Sequence, residues 1–321
     1  MPVGCSRRIG DNARGVFAPK WRQDVTDCGI SVPADHAARP VFALPQPDEF
    51  ARLGLHYIRE LHGGHQSRVV LASSQDASLP SELVVKLIDS STADHSHALE
   101  RLQVRDRVAT YDDRVVPIVM VDGAKVHRIG NCLAVASPKI DGRFFDVGDR
   151  PDVERMGRAL ARLHQSLRLV HSELPVVSAL RAGPLVEGLQ NNHQLLHGDF
   201  SASNLLLDND GRTWIFDFDD CGFGPVEFEL GNTLFMALFS TSPSLNQPSD
   251  AYQTFRKWFL GSYQASAEHT ISELLVNLAL QTRSDALRYW LNHLDEAPIG
   301  IRNASEPWRD HLRSFAGVLN L

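Results

Sequence analysis

One segment constrains this chain more than any other. Leu196-His197-Gly198-Asp199-Phe200-Ser201-Ala202-Ser203-Asn204 is followed by Ile215-Phe216-Asp217-Phe218-Asp219-Asp220. Reduced to chemistry, this is H-x-D-x-x-x-x-N, a hairpin, and then an acid at a strand end. The hairpin is read from two apolar runs, Asn204–Leu207 and Trp214–Phe218, on either side of the turn Asp208-Asn209-Asp210-Gly211. Phosphoryl transfer needs a carboxylate that orients a hydroxyl and takes its proton, and oxygen ligands that hold Mg²⁺ against nucleotide phosphates. Asp199 suits the first task, and Asn204 and Asp217 suit the second. Magnesium favours such hard oxygen donors, and the chain shows no His/Cys ligand spacing that would suit zinc instead. The competing reading is a chance loop whose Asp and Asn merely cap turns. The ordered acid beyond the hairpin and a strand lysine upstream, Lys86, favour the chemical reading.

The texture of the chain changes along its length. Residues 1–45 mix Gly, Pro, Asp and Arg without periodicity and read as an extension. A helix is expected from Asp48, with Phe50, Leu53, Leu55 and Ile58 on its apolar face. Ser67–Ala72 and Glu82–Ile88 are β-rich, a helix follows over 95–110, and further strands are expected at Val115–Val121 and Cys132–Ser137. From Pro151 onward helical spacing dominates, beginning with Met156, Leu160, Leu163 and Leu167. The sequence thus predicts an α+β fold of two lobes with a cleft between them: residues 46–138 a small antiparallel sheet lobe, and 139–321 a mainly helical lobe.

HGDFSASN, the apolar strand after it and IFDFDDCGFGP resemble the aminoglycoside phosphotransferase family of protein-kinase-like small-molecule kinases, which includes choline- and homoserine-kinase-type enzymes and a bacterial stress-response kinase. The resemblance extends to the Gly63-Gly64-His65-Gln66-Ser67 turn, to Lys86, and to Leu160-Ala161-Arg162-Leu163-His164. It implies Asp199 as catalytic base, Asn204 and Asp217 as metal ligands, and His197 as a brace of the loop. It also implies that Gly63, Gly64 and Ser67 lie over the phosphates of ATP and that Lys86 pairs with the α- and β-phosphates. An acid on the following helix would orient that lysine: Glu100, with Asp106 as the second choice. The stretch from Ser137 and Lys139 to Arg143 resembles the crossing between lobes, whose backbone would bind the adenine edge. The implied activity is ATP- and Mg²⁺-dependent transfer of a phosphoryl group to a hydroxyl of a small molecule, such as an aminoglycoside or related antibiotic. Alternatives are a metabolic kinase for choline, homoserine or a sugar, a Ser/Thr protein kinase of the stress-response type, and an inactive nucleotide-binding scaffold.

Composition removes other classes. A net charge of -7 over 321 residues disfavours a nucleic-acid partner. No apolar run is long enough to span a membrane, and the N-terminus lacks a secretory pattern, so a cytoplasmic protein is expected. Cys5, Cys28, Cys132 and Cys221 are scattered, as expected of reduced, packed thiols. The aromatic residues of 250–295 recur at helical spacing and read mostly as core.

Overall fold

The computed structural model describes residues 42–61, 67–89, 95–182, 189, 193–242, 244 and 247–316. It opens with a short helix, α1 (Pro47–Ala51), which begins on a proline and is closed at its start by the Gln46 N–H donating to Glu49 at 2.8 Å. The sequence extends this helix through Leu55 and Ile58, and here the structure differs. Gly54 takes a positive φ of +69°, and the aromatic and β-branched residues beyond it leave as strand β1 (Leu55–Leu61).

β1 joins β2 (Ser67–Ser74) and β3 (Glu82–Asp89), and the sheet is completed by β4 (His127–Ile129) and β5 (Cys132–Pro138). All neighbours are antiparallel, in the order β1-β2-β3-β5-β4. Period-two alternation sorts β3: Leu83, Val85 and Leu87 are buried with Val70, Ala72 and Phe50, which leaves Val84 and Lys86 on the opposite face. On that side lies helix α2 (His95–Val108), where Leu102 packs with Ile118 and Val135. The strand expected at Val115–Val121 is instead an extended segment with single bridges, Val115 to Ile215 and Val121 to Ala124. Pro117, which has no N–H to donate, interrupts any ladder there.

Beyond Pro138 the chain leaves this sheet, and the next strand, β6 (Gly142–Phe144), pairs with β8 of the second lobe. That lobe continues with α3 (Arg150–Leu167), α4 (Ser178–Ala182), β7 (Gln194–Leu196), one 3-10 turn at Ala202–Asn204, and the hairpin of β8 (Leu205–Asp208) and β9 (Thr213–Ile215). β10 (Gly222–Gly224) pairs back onto β7. The rest is helical: α5 (Val226–Thr241), α6 (Asp250–Ser266), α7 (Glu273–Asn292), α8 (Ile299–Arg302) and α9 (Glu306–Phe315). Ser249, Ser272 and Ser305 cap α6, α7 and α9 by accepting backbone N–H bonds from residues three positions on. The fold is α+β in two lobes, a small antiparallel sheet lobe and a mainly helical one. No described helix is long and apolar enough to cross a membrane.

The second lobe's core forms where α3 lies against α6. Met156, Leu160 and Leu163 meet Phe255, Phe259 and Tyr263, so these aromatics are core, as their spacing suggests. Gly157 sets the approach: a Cβ there would come within 2.5 Å of the Phe259 carbonyl and 2.8 Å of the Tyr263 nitrogen. Gly261, in α6 but exposed, has nothing within 4 Å of its missing Cβ. Opposite outcomes are therefore expected in denaturant unfolding. Gly157→Ala should destabilise by about 1–3 kcal/mol through overpacking, whereas Gly261→Ala should stabilise by about 0.5–1 kcal/mol through helix propensity. Equal effects at the two positions would contradict the packing described.

Candidate active site

The site is built around the loop that leaves β7. Gly198 takes φ +86°, and a Cβ on it would lie 2.0 Å from the Asp220 carbonyl oxygen, so no larger residue fits. Glu229, on the first turn of α5 and buried, holds the loop from below. Its carboxylate accepts the backbone N–H of His197 (3.0 Å) and of Gly198 (2.6 Å), and the His164 Nε2 proton (2.9 Å). Burial alone would raise the Glu229 carboxyl, but His164 and the Gly198 amide outweigh it and hold the group below its ordinary value. One helical turn further, Asn232 Nδ2 donates to the Gly198 carbonyl at 3.1 Å and Thr233 Oγ1 to that of Phe200 at 2.8 Å.

His197 ties this loop to the segment after β9. Its Nε2–H donates to the Phe216 carbonyl at 3.0 Å, a bond that assigns the tautomer and leaves Nδ1 unprotonated toward the Asp199 N–H. Burial lowers the imidazole pKa, so the ring is a neutral brace. Asn204 spends its side-chain amide on Asp199, donating at 2.8 Å to both its carbonyl and its carboxylate. Asp217 adopts φ +68°, a left-handed conformation that Asp tolerates better than most residues and one often retained at functional sites. Lys86 reaches across from β3 and pairs with Asp217 at 2.7 Å and with Asp219 at 2.5 Å. Burial pulls its ammonium down, but these two carboxylates outweigh it and leave the pKa above the ordinary value.

Four of the expected residues, Lys86, Asp199, Asn204 and Asp217, are thus brought together. Others are placed differently. Gly63 and Gly64 lie outside the described residues, while Ser67 is buried at the start of β2. Glu100 does not pair with Lys86; it accepts a hydrogen bond from Ser172 at 2.7 Å. Asp106 does not either, being held by Lys125 at 2.7 Å. Helix α2 is rotated so that Arg101 and Arg105, not its acids, face inward. Ser137 gives its hydroxyl to Arg105 at 2.6 Å, and Lys139 pairs with Glu82 and Asp141. The Lys139 N–H already bonds the Glu82 carbonyl at 3.2 Å, so it is not free for a purine edge.

The donor set fits magnesium. With its NH₂ turned to Asp199, the Asn204 side-chain oxygen Oδ1 has no donor among the described residues, and Asp217 adds a carboxylate. Among the described residues no group of three or more His, Cys, Asp or Glu forms a ready cage. A cation here would complete its shell with water and phosphate oxygens, the usual habit of Mg²⁺.

Sequence reasoning missed Glu229, Asn232 and Arg283. The first two, with Thr233, fall at i, i+3 and i+4 on one helix face, a signal that was available. Arg283 had none, because α7 is remote in sequence. Its Nε donates to Asn232 Oδ1 at 2.9 Å, and its guanidinium lies over the rings of Phe235 (4.5 Å) and Trp290 (5.4 Å).

Asp199 itself is pushed up to about 8, first by withdrawal from water and then by Asp220 and Asp217, against opposing effects of Asn204 and Arg283. The unfolded value is near 3.8, so between these limits the folded state holds a proton that the unfolded chain has released. Stability of the metal-free protein must therefore fall as pH rises through that window. In chelator-containing buffer, the thermal midpoint of Asp199→Asn relative to the parent should be higher at pH 9 than at pH 6. A difference that is flat or reversed with pH would contradict this electrostatic picture.

Comparison with known proteins bears on the family and the fold. Residues 176–269 match the phosphotransferase enzyme family. No curated protein matches the sequence significantly. Among solved structures, amicoumacin kinase in complex with AMP-PNP, Ca²⁺ and Ami superposes with a TM-score of 0.63 at 15% identity, over 88% of this chain and 90% of that one. Spectinomycin phosphotransferase with ADP and spectinomycin gives 0.51 at 12% identity, over 81% and 88%. Plasmodium vivax ethanolamine kinase gives 0.51 at 11% identity, over 86% and 85%. The segment carrying Asp199, Asn204 and Asp217 thus has the sequence signature of the phosphotransferase enzyme family, set in a protein-kinase-like fold shared with aminoglycoside phosphotransferases and related kinases.

Proposed function

We propose that the protein is an ATP- and Mg²⁺-dependent phosphotransferase that moves the γ-phosphoryl group to a hydroxyl of a small molecule, with an aminoglycoside or related antibiotic as the leading acceptor class. The observation that carries this reading is the convergence of Lys86, Asp199, Asn204 and Asp217 from separate elements onto one site.

Each residue's task follows from its surroundings. Asp199 is held by Asn204, and its raised pKa makes it a better proton acceptor than an exposed carboxylate once it is ionised. It orients the acceptor hydroxyl and receives its proton as the phosphoryl group transfers. Lys86 steadies the nucleotide phosphates and offsets their charge, and Asn204 and Asp217 supply the oxygen ligands for magnesium. A bound magnesium ion neutralises charge on the phosphates and lowers the pKa of carboxylates beside it. Catalysis on this plan is positioning plus electrostatics, so the rigidity of the loop above Glu229 matters directly. A reduced, cytoplasmic setting suits Cys132 and Cys221, which are both buried free thiols.

The test is Mg-ATP consumption by the full chain across aminoglycosides, other hydroxylated antibiotics, choline, ethanolamine, homoserine, sugars and a generic protein substrate. Turnover with one class is expected. Asp199→Ala should lower kcat by about 10³-fold or more while leaving Mg-nucleotide binding within a few-fold. Undiminished turnover in that variant would remove Asp199 from the mechanism, and ADP formation with a protein substrate alone would shift the acceptor class.

A further inference from the structure

Resting on that reading, we infer that Asp219, and no acid of α2, is the carboxylate that positions Lys86 for the nucleotide phosphates. Lys86 has two partners, Asp217 and Asp219, and their tasks conflict. Asp217 is the residue that would be given over to a cation, and a carboxylate coordinating Mg²⁺ is largely lost as a counter-charge to a neighbouring ammonium. The lysine side chain is 14% exposed, so it needs a second carboxylate to keep its place. Asp219 is that group: its Oδ1 lies 2.5 Å from Nζ, the shorter of the two contacts, and it projects from the same short segment that carries Asp217.

Helix α2 cannot supply the alternative without dismantling its own packing. Two of its arginines bond to groups outside the helix. Arg101 Nε donates to the Cys221 carbonyl at 3.2 Å. Arg105 is buried and donates to the Val116 carbonyl at 2.7 Å and the Ser137 hydroxyl at 2.6 Å. Turning Glu100 toward Lys86 would break its bond from Ser172 and withdraw Arg105 from its buried acceptors, leaving a buried guanidinium without them. The lysine is therefore set by the 217–219 segment itself. Its placement does not wait on a movement of α2.

The experiment is calorimetric titration of the full chain with AMP-PNP, with and without Mg²⁺, for the parent, Lys86→Met, Asp219→Asn, Asp219→Glu, Glu100→Gln, and the Lys86→Met/Asp219→Asn double variant. The expected result is that Asp219→Asn weakens binding about tenfold or more, with or without the metal, and that Asp219→Glu recovers part of the loss. The double variant should bind no more weakly than Lys86→Met alone, because both changes remove one interaction. Glu100→Gln should remain within twofold of the parent. Additive losses, a loss seen only with Mg²⁺, or a Glu100→Gln defect equal to that of Asp219→Asn would each overturn the assignment. So would a loss in Asp219→Asn matched by a collapse of its thermal midpoint with no recovery in Asp219→Glu. A parent that binds no AMP-PNP under either condition would instead overturn the phosphotransferase reading on which the assignment rests.

Discussion

A single buried carboxylate governs the geometry of this site. Glu229 accepts two consecutive backbone amides of the loop and an imidazole proton, and so fixes β7, α3 and α5 relative to one another. Hydrogen bonds to a charged group contribute about 1.5–3 kcal/mol each, and breaking a buried pair by removing one partner costs about 3–5 kcal/mol. The loop is thus held by interactions large compared with thermal energy, though not large compared with the stability of a typical domain. Tyr263 extends the network from α6, with its hydroxyl 2.8 Å from His164 Nδ1. In this way the helical lobe, through three of its helices, determines where Asp199 sits.

The second governing feature is charge. Asp199, Asp217, Asp219 and Asp220 crowd one region, and each raises the cost of ionising its neighbours. Lys86 offsets two of them directly, and Arg283 opposes Asp199's rise from the other side. Lys86 pairs with Asp217 and Asp219. A cation and a polyphosphate offer the same charges new partners: the acids can turn to the metal, and the lysine to the phosphates.

Legibility in the sequence followed locality. The H-x-D-x-x-x-x-N spacing and the hairpin after it were readable because one short stretch carries both the residues and the turn that orients them. The amphipathic repeat of α3 was readable for the same reason, and Val153 to Leu167 are helical where spacing placed them. The helix extended past Gly54 failed because apolar residues at mixed spacing satisfy a helix and a strand alike, and a glycine conformation decided between them. The strand expected across Pro117 failed on a missing donor. Lys86's partner was misassigned because the rotation of α2 about its axis is set by tertiary packing, here the buried Arg105, which no local pattern encodes. Arg283 was invisible because its role depends on α7 meeting α5.

On the proposed reading, one cation and one nucleotide share the site bounded by Lys86, Asn204 and Asp217. Crystals of the protein grown with AMP-PNP and Mn²⁺ in place of Mg²⁺ would test it through the anomalous signal of manganese. The account predicts a peak within coordination distance of the Asn204 carbonyl oxygen and the Asp217 carboxylate, with Lys86 Nζ against the phosphates and still beside Asp219. Nucleotide bound elsewhere, or manganese held by residues that include neither Asn204 nor Asp217, would contradict it.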